Sequence, residues 1–115
     1  MKEKILFVNS CVRGENESRT LALAKTALSR LDGDIEEIRL ADANLKPLDA
    51  AGLAKRAESA EKNDFSDPVY DCAKQFAACD TVVVAAPFWD YSFPAFLKIY
   101  IESLCVGGLT FLYGS

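Results

Sequence analysis

The chain has 115 residues, half of them apolar, and carries 13 Lys and Arg against 17 Asp and Glu for a net charge of −4. That size and apolar content suit one compact domain with its own core. The charges are spread along the chain with no clustered basic face, which argues against a nucleic-acid surface, and no window approaches the ~18 apolar residues of a membrane span.

Four cysteines stand at positions 11, 72, 79 and 105, with no C-x-x-C pair, and the chain has no histidine. Zinc sites need Cys or His at paired short spacings, and Ser-His or Cys-His catalysis needs a histidine, so both classes of site are set aside. The apolar run of the N-terminus, Ile5 to Val8, is shorter than the ~7 residues of a signal-peptide core. Nothing else signals secretion, so the thiols are read as free and the protein as cytoplasmic.

In chain order, "KILFVNS" (4–10) reads as a buried strand rich in branched and aromatic residues. After the polar loop "CVRGENE", Leu21, Ala24, Leu28 and Leu31 repeat at helical steps, with Ser18 as N-cap and Gly33 as stop. "IEEIRL" (35–40) is a second strand whose charges suit a sheet edge. The alanine-rich stretch between 41 and 66 predicts an exposed helix. Asp67 then caps a helix led by Pro68, with Val69, Cys72, Ala73, Phe76 and Cys79 on one apolar stripe. "TVVVAAP" (81–87) has the continuous hydrophobicity of a parallel strand covered on both faces. Pro94 starts a last helix, whose Leu97, Ile101 and Leu104 share a face until Gly107 and Gly108 break it.

Strand and helix alternate three times, which predicts an α/β layered fold with a parallel sheet. Ligands of such sheets bind beyond the carboxyl ends of the strands, where the winding reverses. Two unusual loops leave such ends. The first, "SCVRGENESRT", offers the hydroxyls of Ser10, Ser18 and Thr20 and the cations Arg13 and Arg19 at a helix N-terminus, where free N–H groups and the helix dipole favour an anion such as a phosphate monoester. It contains neither G-x-x-x-x-G-K-[ST] nor G-x-G-x-x-G, Glu15 and Glu17 oppose an anion unless they turn outward, and an ordinary capped turn is the alternative reading. The second, "PFWDYSFP" (87–94), places Phe88, Trp89, Tyr91 and Phe93 between two prolines. Phe88 or Phe93 is expected to fold back under the following helix, leaving Trp89 and Tyr91 to meet a planar ligand or a partner. An anion cradle and an aromatic loop together match the two ends of flavin mononucleotide (FMN).

"NSCVRGENESRT" and "AAPFWDYSFPAFLKIYIESLCVGGLTFLYG" resemble the flavodoxin-like NAD(P)H-dependent FMN oxidoreductases, the group of azoreductases and NAD(P)H:quinone reductases, along the whole chain. The resemblance implies one flavodoxin-like domain over 1–115, a three-layer α/β/α with a parallel sheet. It also implies that the family's chain continues beyond the third strand and its helix, so the domain is expected to be incomplete at its C-terminus. Ser10, Arg13, Ser18, Arg19 and Thr20 are then expected at the FMN phosphate, and Pro87, Phe88, Trp89, Asp90 and Tyr91 against the ring. Backbone N–H groups of 88–91 would stabilise charge on the reduced ring, and no residue is assigned as a general acid: Asp90 is one candidate, but an Asp in a turn commonly bonds its own backbone. Cys11, near a helix N-terminus, is either a reactive thiol or a small filler. The implied activity takes a hydride from NAD(P)H through FMN to a small quinone, azo or nitro acceptor, in a homodimer. A flavodoxin-type electron carrier and a non-catalytic interaction module are the alternatives.

Overall fold

The computed structural model describes residues 3–12, 18–88 and 93–111. Three strands, β1 (Glu3–Asn9), β2 (Gly33–Arg39) and β3 (Thr81–Ala85), form a parallel sheet in the order β2-β1-β3. Four helices accompany them: α1 (Arg19–Leu28), α2 (Ala50–Lys62), α3 (Asp71–Ala78) and α4 (Ala95–Leu104). Short 3-10 turns occupy Leu40–Asp42 and Pro68–Tyr70. None of the described helices is long and apolar enough to cross a membrane.

The central strand explains the three layers. Ile5 through Val8 are all buried, and because side chains alternate along a strand, they feed two separate cores. Ile5 and Phe7 pack with Leu21, Ala24 and Leu28 of α1. Leu6 and Val8 pack with Leu40 and with Leu97, Tyr100 and Leu104 of α4, while Cys72 and Phe76 of α3, and Cys79 just after it, close the same side. The phenol of Tyr100 is buried with no hydrogen-bond partner among the described residues. Burial, and then the neighbouring Cys72 and Cys79, raise its pKa so that it stays neutral. The four cysteines are free thiols.

Both expected caps are present. Ser18 lies in extended backbone and its Oγ accepts the Leu21 N–H at 3.1 Å, which satisfies one of the orphan donors of α1. Asp67 accepts the Val69 N–H at 2.9 Å, with Pro68 in the first turn. At the other end of the molecule, Arg56 of α2 donates to the carbonyls of Glu102 (2.6 Å) and Cys105 (3.0 Å), tying down the C-terminus of α4.

Four expectations are corrected. The first helix ends at Leu28, and Leu31 sits in the following turn with 41% exposure. Gly33 is the first residue of β2, not a helix stop; a Cβ there would stand 2.6 Å from the Glu3 carbonyl oxygen, so glycine permits the close approach of β1 and β2. Val69 is exposed because it falls in the 3-10 turn before α3, whose tighter winding turns Tyr70 inward in its place. Within β3 only Ala85 is fully buried and Val84 is 49% exposed. The reason is position: among the described residues β3 pairs with β1 alone and forms a sheet edge.

Candidate functional site

The winding of the sheet places the site. β1 leads through α1 to β2 on one side, and β2 then leads back past β1 to β3 on the other, with α3 and α4 on the opposite face from α1. The direction therefore reverses between β1 and β3, and it is beyond the carboxyl ends of strands at such a reversal that open α/β sheets bind ligands. Asn9 and Ala85 are register partners there. The Ser10 N–H extends the ladder by donating to the Ala85 carbonyl at 3.0 Å, and the Ser10 hydroxyl donates to the same oxygen at 2.6 Å. The two loops singled out in the sequence thus leave the sheet from adjacent points. Ser10 is fully buried at this junction. Cys11 is 3% exposed, packed in the α1-side core with its thiol 3.9 Å from the Ala85 carbonyl oxygen; here it is a small core filler and not an exposed nucleophile.

The first loop ends at the cap of α1. Ser18 uses its oxygen as an acceptor for Leu21 N–H, so its hydroxyl proton is left for another partner. The N–H groups of Arg19 and Thr20 have no acceptor among the described residues, and the first turn of α1 contains no acidic residue. Arg19 is exposed and Thr20 half-buried. The start of α1 thus carries orphan donors, the hydroxyl-bearing Ser18 and Thr20, the cation Arg19 and the positive end of the helix dipole, a setting that suits a phosphate dianion. Arg13 lies outside the described residues.

In the second loop Pro87 is half-buried, and Pro94 is buried as the residue capping α4. Phe88 and Phe93 are 71% and 61% exposed, which overturns the expectation that one of them returns to the core. The space beneath α4 is already filled by Leu97, Tyr100 and Leu104. Phe93 instead joins Val82, Val84, Leu97 and Ile101 along an uncharged groove of about 650 Å³ beside the edge of β3. Trp89, Asp90 and Tyr91 lie outside the described residues. Among the described residues no cluster of His, Cys, Asp or Glu is arranged to hold a metal ion.

A polar network that sequence reading missed underlies the first loop. Asn9, 2% exposed, donates from Nδ2 to Glu37 Oε2 at 3.0 Å and accepts the Cys11 N–H on Oδ1 at 3.0 Å. The other Glu37 oxygen accepts from Lys25 of α1 at 3.1 Å, and that ammonium lies 5.3 Å from the centre of the Phe7 ring. The available signal was Asn9 itself, a polar residue closing a buried apolar strand, which must find partners.

Burial works to raise the Glu37 carboxyl, but the hydrogen bonds from Asn9 and Lys25 and the charges of Lys25 and Arg39 outweigh it, holding the group below its ordinary value of 4.5. A lowered folded-state pKa stabilises the fold above the unfolded value, and that contribution disappears as pH falls through the folded one. Glu37→Gln is therefore expected to destabilise the protein at pH 7 by about 1 kcal/mol or less, with the difference from the parent shrinking as pH falls below the ordinary value of 4.5 and through the lowered folded-state one. Urea titrations across pH 3 to 7 check this; a gap that widens on acidification contradicts it.

With the geometry in place, comparison with known proteins identifies the family. Residues 3–115 match the family described as having the flavodoxin-like fold. The chain belongs to that family. Its flavodoxin-like sequence is 36% identical over 125 residues to the FMN-dependent NADH:quinone oxidoreductase 2 of Clostridium acetobutylicum, covering 96% of this chain and 57% of the relative. It is 31% identical over 115 residues to the FMN-dependent NADH:quinone oxidoreductase of Clostridium perfringens, covering 96% and 58%. The flavodoxin-like chain thus spans less than two thirds of the length of these relatives. Among solved structures it superposes on azoreductase AzrA with a TM-score of 0.76 at 25% identity, covering 96% of this chain and 59% of that one. The FMN complex of a Bacillus anthracis FMN-dependent NADH-azoreductase gives a TM-score of 0.75 at 21% identity, covering 97% and 59%, a likeness of fold alone.

Proposed function

We propose that this chain binds FMN and belongs to an NAD(P)H-dependent oxidoreductase that reduces a quinone, azo or nitro acceptor. The observation that carries the reading is the adjacency of the two loops at the winding reversal, one of them ending in a helix N-terminus with uncommitted donors. Ser18, Arg19 and Thr20, with Arg13, hold the phosphate. Ser10, expected at the phosphate, is fully buried with its hydroxyl donating to the Ala85 carbonyl, so its proposed role is to keep the phosphate loop next to the ring loop. Pro87, Phe88, Trp89, Asp90 and Tyr91 form the wall against the isoalloxazine. FMN supplies the redox chemistry when bound, taking a hydride from the nicotinamide and passing the reducing equivalents to the acceptor; the residues of this chain bind and orient it. Relatives at 31% and 36% identity that are named as FMN-dependent NADH:quinone oxidoreductases support the same assignment.

Residues 1–115 are proposed as one flavodoxin-like domain whose sheet accepts a further strand at β3. The uncharged groove beside that edge forms the proposed homodimer contact, since exposed apolar patches recruit other chains. A cytoplasmic location is proposed from the four free thiols.

Fluorescence titration with FMN, followed by NADH and NADPH oxidation with a quinone acceptor, tests the reading. Saturable quenching of FMN emission with quinone-dependent turnover is the expected result. Binding without turnover would favour an electron carrier, and absence of binding removes the proposal for this polypeptide. Light scattering on the same samples is expected to give twice the chain mass of 12.6 kDa, and a monomer would overturn the dimer.

A further inference from the structure

The Asn9, Glu37 and Lys25 network joins three elements at the root of the first loop and is not itself part of the anion cradle. Asn9 closes β1, Glu37 belongs to the neighbouring β2, and Lys25 lies on the same helix whose N-terminus forms the cradle. A carboxylate can only accept hydrogen bonds, so Glu37 obliges the Asn9 amide to turn its NH2 toward β2 and its carbonyl oxygen toward the Cys11 N–H. Lys25 occupies the second Glu37 oxygen, which leaves the first one for Asn9. The Cys11 amide is thereby fixed one residue after Ser10, whose own two bonds to Ala85 fix the loop against β3. The start of the loop is held by Asn9, and its end is held because the helix that follows is anchored to the same carboxylate.

We infer that Asn9 is the positioning residue of the anion-binding loop, with Glu37 locking its amide in the one orientation that clamps the Cys11 N–H. The inference rests on the FMN reading for its consequence, namely selectivity for a phosphate-bearing flavin over one without a phosphate. Its structural half needs no ligand. Both halves are open to measurement on the intact chain.

Two readouts separate them. The first is hydrogen exchange of the Cys11 amide by NMR, referred to the Val8 amide in the same strand, so that a global loss of stability cancels. The second is the ratio of FMN to riboflavin affinity, because riboflavin lacks only the phosphate. Asn9→Asp keeps an acceptor for Cys11 but sets two carboxylates against each other, and is expected to speed Cys11 exchange relative to Val8 and lower the affinity ratio about tenfold, the scale of one buried hydrogen bond. Glu37→Gln alone, which allows either amide orientation, is expected to lower the ratio about threefold by the same reasoning. In the double variant Asn9→Asp with Glu37→Gln the donor and acceptor roles are exchanged, and both readouts are expected to recover toward the parent.

Unchanged Cys11 exchange in Asn9→Asp overturns the inference whatever the flavin result. Faster exchange with an unchanged FMN to riboflavin ratio overturns the claim that this clamp serves phosphate binding. Failure of the double variant to recover overturns the orientation lock. If the parent chain binds neither flavin while Cys11 exchange responds as expected, it is the FMN reading that fails, and the phosphate-positioning role falls with it while the clamp itself stands.

Discussion

Phe7→Ala is expected to lower stability by about 3–5 kcal/mol, the range for removing a buried phenyl ring from a packed core. A domain of this size has about 5–15 kcal/mol in total, so a single truncation removes about a fifth or more of it and the thermal midpoint should fall by about 10–25 °C. The location is what puts the effect in the upper range. Phe7 has no solvent exposure, lies on the central strand, and packs against Leu21, Ala24, Leu28 and Ala85. β1 is paired on both sides over this segment, so the backbone cannot move in to fill the cavity. The Lys25 ammonium also loses the ring face that it overlies. Thermal unfolding followed by circular dichroism measures the shift. Leu23→Ala, on the exposed face of α1, is the internal contrast and should move the midpoint by a few degrees only; equal shifts for the two variants would contradict the assigned core.

What the sequence made legible about the fold was local. "KILFVNS" read as a buried strand from its run of branched and aromatic residues, and Ile5 to Val8 are buried, feeding the two cores on either side of β1. Ser18 and Asp67 were readable as caps because a side-chain oxygen one step before an apolar stripe is needed by orphan N–H groups. The misreadings were at places where tertiary geometry overrides pattern. Leu31 continued a helical period on paper, but the chain has to turn at Ser29 and Arg30 to reach β2. Gly33 read as a stop because glycine commonly ends helices, whereas its value here is the missing Cβ against the Glu3 carbonyl. β3 is as apolar as a central strand, though among the described residues it pairs with β1 alone.

For the candidate site, the placement of the two loops was legible. Both loops were found by composition, and the winding reversal predicted that they share one end of the sheet, as the Asn9 and Ala85 pairing confirms. No pattern within one element could disclose the Asn9 network, because its members are 28 and 12 residues apart and meet only once β1, β2 and α1 are assembled. The outward placement of Phe88 and Phe93 likewise depends on α4 having already filled the core with other side chains.

Arg19→Glu separates the fold from the proposed ligand, because the two respond with opposite sign. At the first position of α1 a carboxylate interacts favourably with the helix dipole, by about 0.3–1 kcal/mol, and Arg19 is exposed with no ion pair among the described residues for the change to remove. Stability should therefore hold or rise slightly. At the cradle the same change replaces a charge-assisted donor to the phosphate with a like charge. A hydrogen bond to a charged group contributes about 1.5–3 kcal/mol, and since 1.4 kcal/mol corresponds to tenfold, FMN affinity is expected to fall by about 10- to 100-fold. Riboflavin, which has no phosphate for the new carboxylate to repel, should bind as it does to the parent. Denaturation curves and paired flavin titrations give all three quantities from one preparation. If FMN affinity is unchanged in a variant that is as stable as the parent, Arg19 does not face the phosphate. If FMN and riboflavin weaken equally, the change has disturbed the ring loop, and the phosphate lies elsewhere than the N-terminus of α1.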